Sequence, residues 1–282
     1  MNTLLVLSHV QAVQLLKARG AGRAATITST DLNMTSAPAA IDSPGVTFAN
    51  GRSLAWTAIE TIASAPNACF VVRDQTIQKI QAFSPLTNRF CSLLPTRLAP
   101  TLLIAGFPMH RIKDTDPYRD TQAKVTALGP VVGRVLDTCM GLGYTAIEAS
   151  KTAEQVITIE LDPAVVEIAR LNPWSQELFD NPNITCIFGD CREVVEDFAP
   201  GTFSRILHDP PNFSLAGELY SGAFYRELFR VLSRSGRLFH YIGDLQGNTN
   251  RRIVPGVVRR LKEAGFRQVR PRPQAFGLVA EK

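Results

Sequence analysis

The chain has 282 residues, 45% of them hydrophobic and 20% charged, and its 30 Lys and Arg residues exceed its 25 Asp and Glu residues to give a net charge of +5. This composition excludes a disordered chain and supplies enough apolar side chains for a core. The longest apolar runs are too short to span a membrane, so we expect no membrane partner. The modest positive charge permits nucleic acid as a partner without requiring it.

The cysteine pattern predicts a cytoplasmic protein with reduced thiols. The five cysteines are Cys69, Cys91, Cys139, Cys186 and Cys191. They are odd in number and form no C-x-x-C pair, so we expect neither disulfides nor a metal site. Cys139 and Cys191 could each be reactive, although small buried thiols are commoner. Leu4 to Leu7 has no positive residue before it, and we predict no secretory signal there.

Residues 1–110 are expected to form a small α+β domain without a nucleotide-binding loop. Ser8 is expected to cap a helix that ends at Gly20 and whose apolar side carries Val10, Val13, Leu15 and Leu16. Residues 46–51 read as a strand that enters an Asn-Gly turn. Ser53 is expected to cap a short helix at 56–63. Short strands are predicted at 68–72, 77–82, 89–94 and 101–105.

The function of this domain is left open by its residues. Its basic side chains outnumber its acidic ones, which favours a module that grips substrate, but a domain that only packs or builds an oligomer is equally compatible. Prolines at 95, 100 and 108 mark the passage to a second domain, 111–282. A helix is predicted at 122–128, and Asp120 or Thr121 could cap it.

The stretch from Val135 to Ser150 reads as a strand, a tight loop and a helix. Two apolar residues end at Asp137, and the glycines Gly141 and Gly143 follow before a helical run. Glycine lets the backbone turn sharply and approach a ligand closely, and the free N–H groups at a helix start favour polar or anionic atoms. The pattern predicts a nucleotide-like cofactor, although a G-x-G loop alone is weak evidence.

Three further strand ends carry acidic residues. The strand at 155–159 closes on Glu160, about 20 residues beyond the glycines, where an acid accepts hydrogen bonds from ribose hydroxyls in NAD or S-adenosylmethionine sites alike. Asp137 favours the cationic amino-acid end of S-adenosylmethionine, because it would repel a pyrophosphate. A strand at 184–188 leads to Asp190, and a fourth at 204–207 leads to Asp209.

The remainder of the chain continues the alternation of strands and helices. A helix is predicted at 216–232, broken by Ser233-Arg234-Ser235-Gly236, then a strand at 237–242 and a helix at 254–264. A terminal hairpin is expected from strands at 267–270 and 276–280. The residues from Arg251 to Pro273 are strongly basic, and phosphate contacts by Arg259 and Arg260 or a solvated helix face explain this run equally well.

This ordered set resembles class I S-adenosylmethionine-dependent methyltransferases over roughly the last 170 residues, a single-domain length. The resemblance implies a doubly wound, Rossmann-like α/β fold whose seven-stranded sheet has a reversed last strand, with S-adenosylmethionine as cofactor. It also implies a cofactor site that includes a segment folded over the methionine end. Its expected members are Asp137, Thr138, Gly141, Gly143, Tyr144, Thr145, Glu160, Leu161, Asp190 and Cys191, with Tyr118 and Thr121 from that segment.

The run Asp209-Pro210-Pro211 resembles the (D/N/S)-P-P-(Y/F/W) signature of methyltransferases that act on base amino groups. An exocyclic amine is a poor nucleophile, so Asp209 is expected to grip its hydrogens, together with carbonyls that Pro210 and Pro211 direct outward. Phe213 is expected to stack on a single-stranded or flipped base. The run departs from the signature, because Asn212 takes the aromatic position. Asp209 could instead cap a following helix.

Longer stretches of the chain, M-H-R-I, L-D-T-C-M-G-L-G-Y-T-A, H-D-P-P-N-F and L-A-G-E-L-Y-S, resemble a group of predicted archaeal methyltransferases. That similarity implies RNA as the substrate, with cytidine N4 in ribosomal RNA as the acceptor. The loop departs from the usual G-x-G-x-G form, because Cys139 stands where the first glycine is expected.

Other functions remain open at this point. A small-molecule methyltransferase is compatible with the motifs. A polyamine aminopropyltransferase should show a G-G-G-D loop and a D-x-x-D-P segment, and the chain has neither. A noncatalytic RNA-binding protein could retain the fold. NAD oxidoreduction ranks last, because it gives Asp190 and the D-P-P run no role. The oligomeric state is left open.

Overall fold

A computed structural model describes residues 4–245, 247 and 250–282, with the side chains of 250–252 left aside. The chain divides into two compact units. The first unit runs to Tyr118 and also includes Ala164–Gln176. The second unit comprises Arg119–Pro163 and Glu177–Lys282.

The first unit contains three antiparallel sheets and two helices before the chain reaches the second unit. The sheet orders are β1-β6-β7, β2-β3-β4-β5 and β11-β10-β9-β8. The elements are β1 Val6–Ser8, α1 His9–Gly20, β2 Ala25–Thr28, β3 Ala37–Ile41, β4 Gly45–Phe48, β5 Ser53–Ala55, α2 Trp56–Ala63, β6 Cys69–Arg73, β7 Thr76–Lys79, β8 Gln81–Ser84, β9 Arg89–Leu94, β10 Thr101–Ile104 and β11 Phe107–Pro108.

The local signals in this unit gave mixed results. Ser8 caps α1 as predicted, and Gln11 completes a reciprocal capping box with it. The predicted apolar side of α1 is confirmed only in part, because Leu15 is buried and Leu16 packs against the core, whereas Val10 is exposed and the other buried positions are Gln11, Ala12 and Ala18. Ser53 does not cap α2; it lies in β5. The single strand expected at 77–82 is two strands, interrupted at Ile80, each of which pairs with a different sheet.

The second unit is built around one large sheet. Its elements, with three that it shares with the first unit, are α3 Pro117–Leu128, β12 Arg134–Asp137, α4 Tyr144–Ser150, β13 Gln155–Glu160, α5 Pro163–Leu171, α6 Gln176–Asp180, β14 Ile184–Phe188, α7 Cys191–Glu196, β15 Phe203–His208, α8 Gly222–Val231, β16 Leu232–Tyr241, α9 Asn250–Glu263, β17 Arg267–Arg272 and β18 Gly277–Glu281. Short 3-10 helices lie at Pro173–Ser175, Gly217–Tyr220 and Pro273–Ala275.

The strand order confirms the predicted fold class. The order is β14-β13-β12-β15-β16-β18-β17, in which the first five strands are parallel and β18 runs antiparallel between β16 and β17. A parallel sheet with helices on its faces carries its apolar residues in continuous runs, and Leu136, Ile157 and Ile206 on its central strands are fully or almost fully buried. The fold is a Rossmann-like methyltransferase fold with a reversed last strand.

Three predictions of element boundaries were wrong, each for a local reason. Helix α3 begins at Pro117, a residue suited to the first helical position, so Asp120 and Thr121 lie inside the helix and do not cap it. Strand β16 begins at Leu232 and includes the expected breaker as an irregularity, in which Ser235 has a left-handed φ of 61°. The helix expected at 216–232 is a 3-10 turn followed by α8, which Ser221 caps.

In the part of the chain that the structure describes, no helix is both long enough and apolar enough to cross a membrane.

Candidate cofactor and catalytic site

Three acidic residues lie at the carboxyl ends of three neighbouring parallel strands. Glu160 ends β13, Asp137 ends β12, and Asp209 follows β15 directly. Strand β12 pairs with β13 on one side and β15 on the other, with Asp137 opposite Thr158 and Leu207. In open α/β sheets the ligand site is found at this edge, where the strands end. The sheet therefore brings the three predicted acids to one edge.

Asp137 is completely buried and is held by two threonine hydroxyls. Thr158 donates a hydrogen bond of 2.7 Å to Oδ2, and Thr145 donates one of 3.2 Å to Oδ1. Burial raises the pKa of Asp137 to about 7, against the lowering effect of the Thr158 hydrogen bond, and the charges of Asp209 and Glu160 add to the rise. A buried carboxylate among other carboxylates favours a cationic ligand.

Glu160 fastens the glycine loop through backbone N–H groups. Gly141 donates to its Oε2 and Asp162 donates to its Oε1, each at 2.9 Å. Burial raises the pKa of Glu160 to about 7, and these backbone hydrogen bonds oppose the rise. Each carboxylate oxygen has two lone pairs, so both oxygens keep a site for a hydroxyl donor.

The two glycines of the loop are required for different reasons. Gly141 has a φ of 53°, and a Cβ there would project into open space. Gly143 has a φ of 75°, and a Cβ there would lie 2.5 Å from Cδ2 of Leu178. Both positions disfavour any other residue because of their positive φ. Gly143 also allows α4 to pack closely against Leu178 of α6, whereas Gly141 leaves open space beside the loop.

A histidine that the sequence analysis did not single out connects the loop to the D-P-P run. Thr138 Oγ1 lies 2.7 Å from His208 Nδ1, and His208 Nε2 lies 3.0 Å from the Leu219 carbonyl oxygen. Burial lowers the pKa of His208 to about 3, so the ring is neutral. Nε2 therefore donates to Leu219, and Nδ1 accepts from the Thr138 hydroxyl. Thr138 serves to position the residue before Asp209.

A buried lysine, Lys124 on α3, is the partner of Asp209. Its Nζ lies 2.6 Å from Oδ2 of Asp209 and 3.0 Å from Oδ2 of Asp120, and 4.3 Å from the centre of the Tyr241 ring. The Lys124 side chain is 1% exposed and that of Asp209 is 17% exposed. Burial alone would lower the pKa of Lys124, but the charges of Asp209 and Asp120 raise it above its ordinary value. The lysine is therefore a permanent cation.

This ion pair corrects the alternative role considered for Asp209. Asp209 does not cap a helix, because the next helical turn begins at Gly217 and the carboxylate binds Lys124 instead. Burial raises the pKa of Asp209, while Lys124 lowers it. The sequence analysis did not predict Lys124 as a site residue, because it belongs to no recognisable motif. A lysine four residues after Asp120 on a helix was the available signal.

The proline run and Phe213 differ in part from expectation. The Pro211 carbonyl does not point outward to an open site; it accepts a hydrogen bond of 3.1 Å from the Tyr220 hydroxyl. Phe213 is 46% exposed, and its ring meets that of Tyr220 edge-on at 5.4 Å. Part of the Phe213 ring is therefore exposed to solvent, and the stacking role assigned to it stays a prediction.

Asp190 has a structural role in this structure. Its side chain caps the six-residue helix α7 by accepting from the Arg192 N–H, and it also pairs with the Arg192 guanidinium at 2.7 Å. The hydrogen bond from Arg192 lowers the pKa of Asp190. Cys191 contacts Cys139 through their thiols, and this hydrogen bond together with burial raises the pKa of Cys139 well above its ordinary value, which keeps the thiol protonated.

The other predicted cofactor contacts are placed as follows. Leu161 is 47% exposed just beyond the end of β13, and Tyr144 is buried in the first turn of α4. Tyr118 belongs to the first unit, where its ring packs against Trp174 at 6.0 Å. Thr121 is buried in the second unit, and within the described residues its hydroxyl has no hydrogen-bond partner.

The two arginines expected to meet phosphates are partly engaged. Arg260 donates from Nε to the Tyr220 carbonyl at 2.8 Å, so part of its guanidinium supports the fold, and a phosphate contact by this residue stays a prediction. Arg259 is largely exposed and lies 3.9 Å from Glu263. The side chains of Arg251 and Arg252 lie outside the described residues.

These residues fit S-adenosylmethionine on three observations. A Cβ at Gly141 would meet open space, so a ligand can approach the backbone of the loop closely. The buried Thr121 hydroxyl lacks a partner in the described chain, and such groups are usually satisfied by a ligand or water. Three carboxylates share the strand ends, and Lys124 is paired with Asp209 and Asp120, which leaves Asp137 and Glu160 for a ligand. Asp137, Thr145 and Glu160 are the residues that would hold its cationic end and its ribose.

Comparison with known proteins gives a sequence relative and a fold. No protein-family model matches the chain. The uncharacterized protein MJ1233 of Methanocaldococcus jannaschii is 43% identical over 226 residues, which is 79% of this chain and 77% of that protein. The polyamine aminopropyltransferase of Mycobacterium tuberculosis is 32% identical over 138 residues, 46% of this chain but only 26% of that protein. A spermidine synthase in complex with the transition state analogue AdoDATO superposes with a TM-score of 0.60 and 21% identity, covering 72% of each chain.

Proposed function

The chain belongs to the same family as the uncharacterized protein MJ1233 of Methanocaldococcus jannaschii, and from that premise we propose that it is an S-adenosylmethionine-dependent N-methyltransferase. The proposed acceptor is the exocyclic amine of a base in RNA, with cytidine N4 in ribosomal RNA as the favoured target. The methyltransferase fold of the second unit supports the enzyme class. A cytoplasmic location is part of the proposal and agrees with five free cysteines.

The observation that carries this proposal is the ion pair of Asp209 with Lys124 beside Asp137. Lys124 binds Oδ2 of Asp209 at 2.6 Å, which leaves Oδ1 of a partly exposed carboxylate for another donor. Asp209 raises the pKa of Asp137 through its charge, so the two carboxylates lie within electrostatic reach of each other. A hydrogen-bond acceptor for an amine is thus held close to a site suited to a cation.

The residues of the chain would supply positioning and a fixed electrostatic environment. When bound, the cofactor supplies a methyl group already activated by its sulfonium. Asp209 Oδ1 accepts a hydrogen bond from the acceptor amine, which localises the nitrogen lone pair, and then takes the proton that the methylated amine loses. Lys124 favours the ionised form of Asp209 against the effect of burial. The Pro210 carbonyl is the second acceptor for the amine, and Phe213 stacks on the base.

Aminopropyl transfer is the second candidate. The partial match to a polyamine aminopropyltransferase and the shared fold with a spermidine synthase favour it. The cofactor of such an enzyme, decarboxylated S-adenosylmethionine, is also a sulfonium and would suit the same carboxylates. The loop of this chain, Thr138 to Tyr144, has no acidic residue, and no D-x-x-D-P segment follows β15. These absences favour methyl transfer.

Parallel assays separate the two candidates. The purified chain is incubated with methyl-labelled S-adenosylmethionine and a ribosomal RNA transcript, and separately with decarboxylated S-adenosylmethionine and putrescine. The proposal predicts label in RNA nucleosides and no spermidine. Asp209→Asn should lose the RNA signal, whereas Asp180→Asn, which changes an exposed carboxylate of the same unit, should keep it. Spermidine formation without RNA labelling would instead establish the second candidate.

A further inference from the structure

The four-stranded sheet of β8 to β11 in the first unit has one buried face and one exposed face. Directly paired residues of antiparallel strands project to the same side of a sheet. The side that includes Cys91, Leu93 and Leu102 is buried. The opposite side carries Gln81, Phe83, Phe90, Ser92, Leu103 and Pro108, which we call the open face; the same side continues to Leu94, which is half-buried, and Thr101, which is buried.

Two aromatic rings stand next to each other on the open face. Phe83 and Phe90 are directly opposite on β8 and β9, and their ring centres are 6.5 Å apart. Phe83 is 53% exposed and Phe90 is 50% exposed. Burying a large aromatic side chain stabilises a fold, so two half-exposed rings on one face indicate a binding surface.

The charge of this segment points to an anionic partner. From Gln75 to Lys113 the sequence contains no Asp or Glu, while it contains five cations: Lys79, Arg89, Arg97, Arg111 and Lys113. Lys79 and Arg97 are exposed and lie outside the four strands, whereas Arg89 pairs with Ser84 on the side of Cys91, away from the open face. A protein surface normally mixes both signs of charge. A polyanion is therefore the partner that this segment favours.

Among polyanions, single-stranded nucleic acid also explains the rings. Every base has a flat face that stacks on an aromatic side chain, and basic residues follow its phosphates. A duplex keeps these base faces inside its own stack. We propose that the open face binds single-stranded RNA, with Phe83 and Phe90 each stacking on a base. This inference rests on the proposed RNA substrate and adds a binding surface separate from the residues that hold cofactor and acceptor.

Fluorescence anisotropy of the full chain with labelled oligocytidine and oligouridine RNA tests this surface. Phe83→Ala and Phe90→Ala should each weaken binding about 5- to 100-fold, the range that corresponds to loss of one base stack. Phe83→Leu and Phe90→Leu should weaken binding similarly, because leucine is apolar but has no ring. Phe107→Ala is the matched control: this phenylalanine lies in the same sheet, is 58% exposed and pairs on the other side. It should bind as the unchanged chain does.

Each outcome bears on the proposal. Unchanged RNA affinity in the Phe83→Ala/Phe90→Ala double variant, with its circular dichroism and melting temperature preserved, would overturn it. Full affinity in the leucine variants would also overturn it, because apolar contact rather than stacking would then suffice. If light scattering showed a dimer that the double variant disrupts while RNA affinity stays constant, the face would be an interface between copies.

Methyl transfer measured on the same RNA separates this inference from the proposed function. If the chain methylates RNA but its phenylalanine variants bind and methylate RNA normally, the proposed function stands and the RNA-binding role of the open face is contradicted. If RNA binding depends on Phe83 and Phe90 but the chain methylates no RNA, the RNA-binding role of the open face stands and the proposed function is contradicted.

Discussion

The seven-stranded sheet of the second unit and the open face of the first unit use charge in opposite ways. The edge of the seven-stranded sheet gathers Asp137, Glu160 and Asp209, and it buries Lys124 to hold the last of these. The open face lies in a segment without a single acid and leaves two phenylalanine rings half exposed. The first arrangement suits a small cationic ligand, and the second suits an extended anionic one.

The difference between the two regions is also energetic. A buried charge destabilises the fold unless it is paired and hydrogen-bonded. At the sheet edge, Thr145 and Thr158 donate hydrogen bonds to Asp137, and the Gly141 N–H donates one to Glu160. An exposed ring costs the fold only a missed burial. We therefore expect substitutions at the sheet edge to affect stability and chemistry strongly, and substitutions on the open face to affect RNA affinity alone.

The largest effect is expected from removal of the buried cation. Lys124→Met leaves Asp120 and Asp209 buried without their partner, and breaking a buried ion pair in this way typically costs about 3–5 kcal/mol. Urea denaturation should show a loss of that size in the free energy of unfolding. Lys151→Met is the control, since Lys151 pairs with Glu148 at the surface and such pairs contribute about 0–1 kcal/mol. If both variants lost the same small amount of unfolding free energy, Lys124 would stabilise the fold no more than a surface lysine, which would contradict the expected difference between the two regions.

The next largest effect is expected on catalysis. Asp209→Ala removes the acceptor for the amine, and loss of one preorganised hydrogen bond at a reacting group typically lowers kcat about 100- to 1,000-fold. The affinity for S-adenosylmethionine, measured by calorimetry, should change little. If the variant binds the cofactor poorly but keeps a normal kcat, Asp209 contacts the cofactor and does not bind the acceptor amine.

A smaller effect is expected at the ribose anchor. Glu160→Ala removes a charged acceptor, so cofactor affinity should fall by about 1.5–3 kcal/mol. The same variant also frees the Gly141 N–H, which adds loop disorder to the loss. Glu154→Ala, at an exposed position just before the same strand, is the control and should leave affinity unchanged. Normal cofactor binding by Glu160→Ala would show that this acid only fastens the loop.

The smallest effect is expected from pH. The pKa values of Asp137 and Glu160 are both raised to about 7, so each takes up a proton as the pH falls through that value and loses its attraction for a cation. Affinity for S-adenosylmethionine should fall roughly tenfold per group between about pH 8 and 6. Asp137→Asn should make this dependence shallower. The pKa of His208, about 3, keeps that ring neutral throughout this range. A flat pH profile would contradict the assignment of both acids.

The raised pKa values of Asp137 and Glu160 also predict that the free energy of unfolding falls as the pH rises. The ordinary pKa values are 3.8 for Asp137 and 4.5 for Glu160, so the folded chain holds both protons more tightly than the unfolded chain. By linkage, stability falls as the pH rises from about 4 to 7, where the unfolded state has lost these protons and the folded state has not. Denaturation midpoints measured across this range should show the fall, and Asp137→Asn should reduce it.

The sequence predicted the sheet and its acidic edge because those features follow from local rules. Apolar runs that close on Asp137 and Glu160, with glycines between them, specify strand, loop and strand end within a few residues. Lys124 could not be predicted in this way, because it lies 85 residues before Asp209 and meets it only after the sheet has formed. The link between Thr138 and His208 was missed for the same reason, since its partners are 70 residues apart.

The predicted local structure failed where a tertiary contact overrode a local preference. Ser233 to Gly236 resembles a helix breaker followed by a loop, yet it forms an irregularity within β16, because Leu232 before it and Arg237 after it both pair with β15. The open face was not predicted either. Its two phenylalanines are seven residues apart in the sequence, across a turn, and only the register of β8 and β9 shows that they share a side.

A crystal structure of the chain with S-adenosylhomocysteine tests the central claim most directly. The account predicts one ligand at the ends of β12, β13 and β15, with its ribose hydroxyls bound to Glu160, its amino group near Asp137 and its sulfur facing Asp209. A ligand that touches only one of these acids, or one that binds elsewhere while the three face separate cavities, would contradict the account.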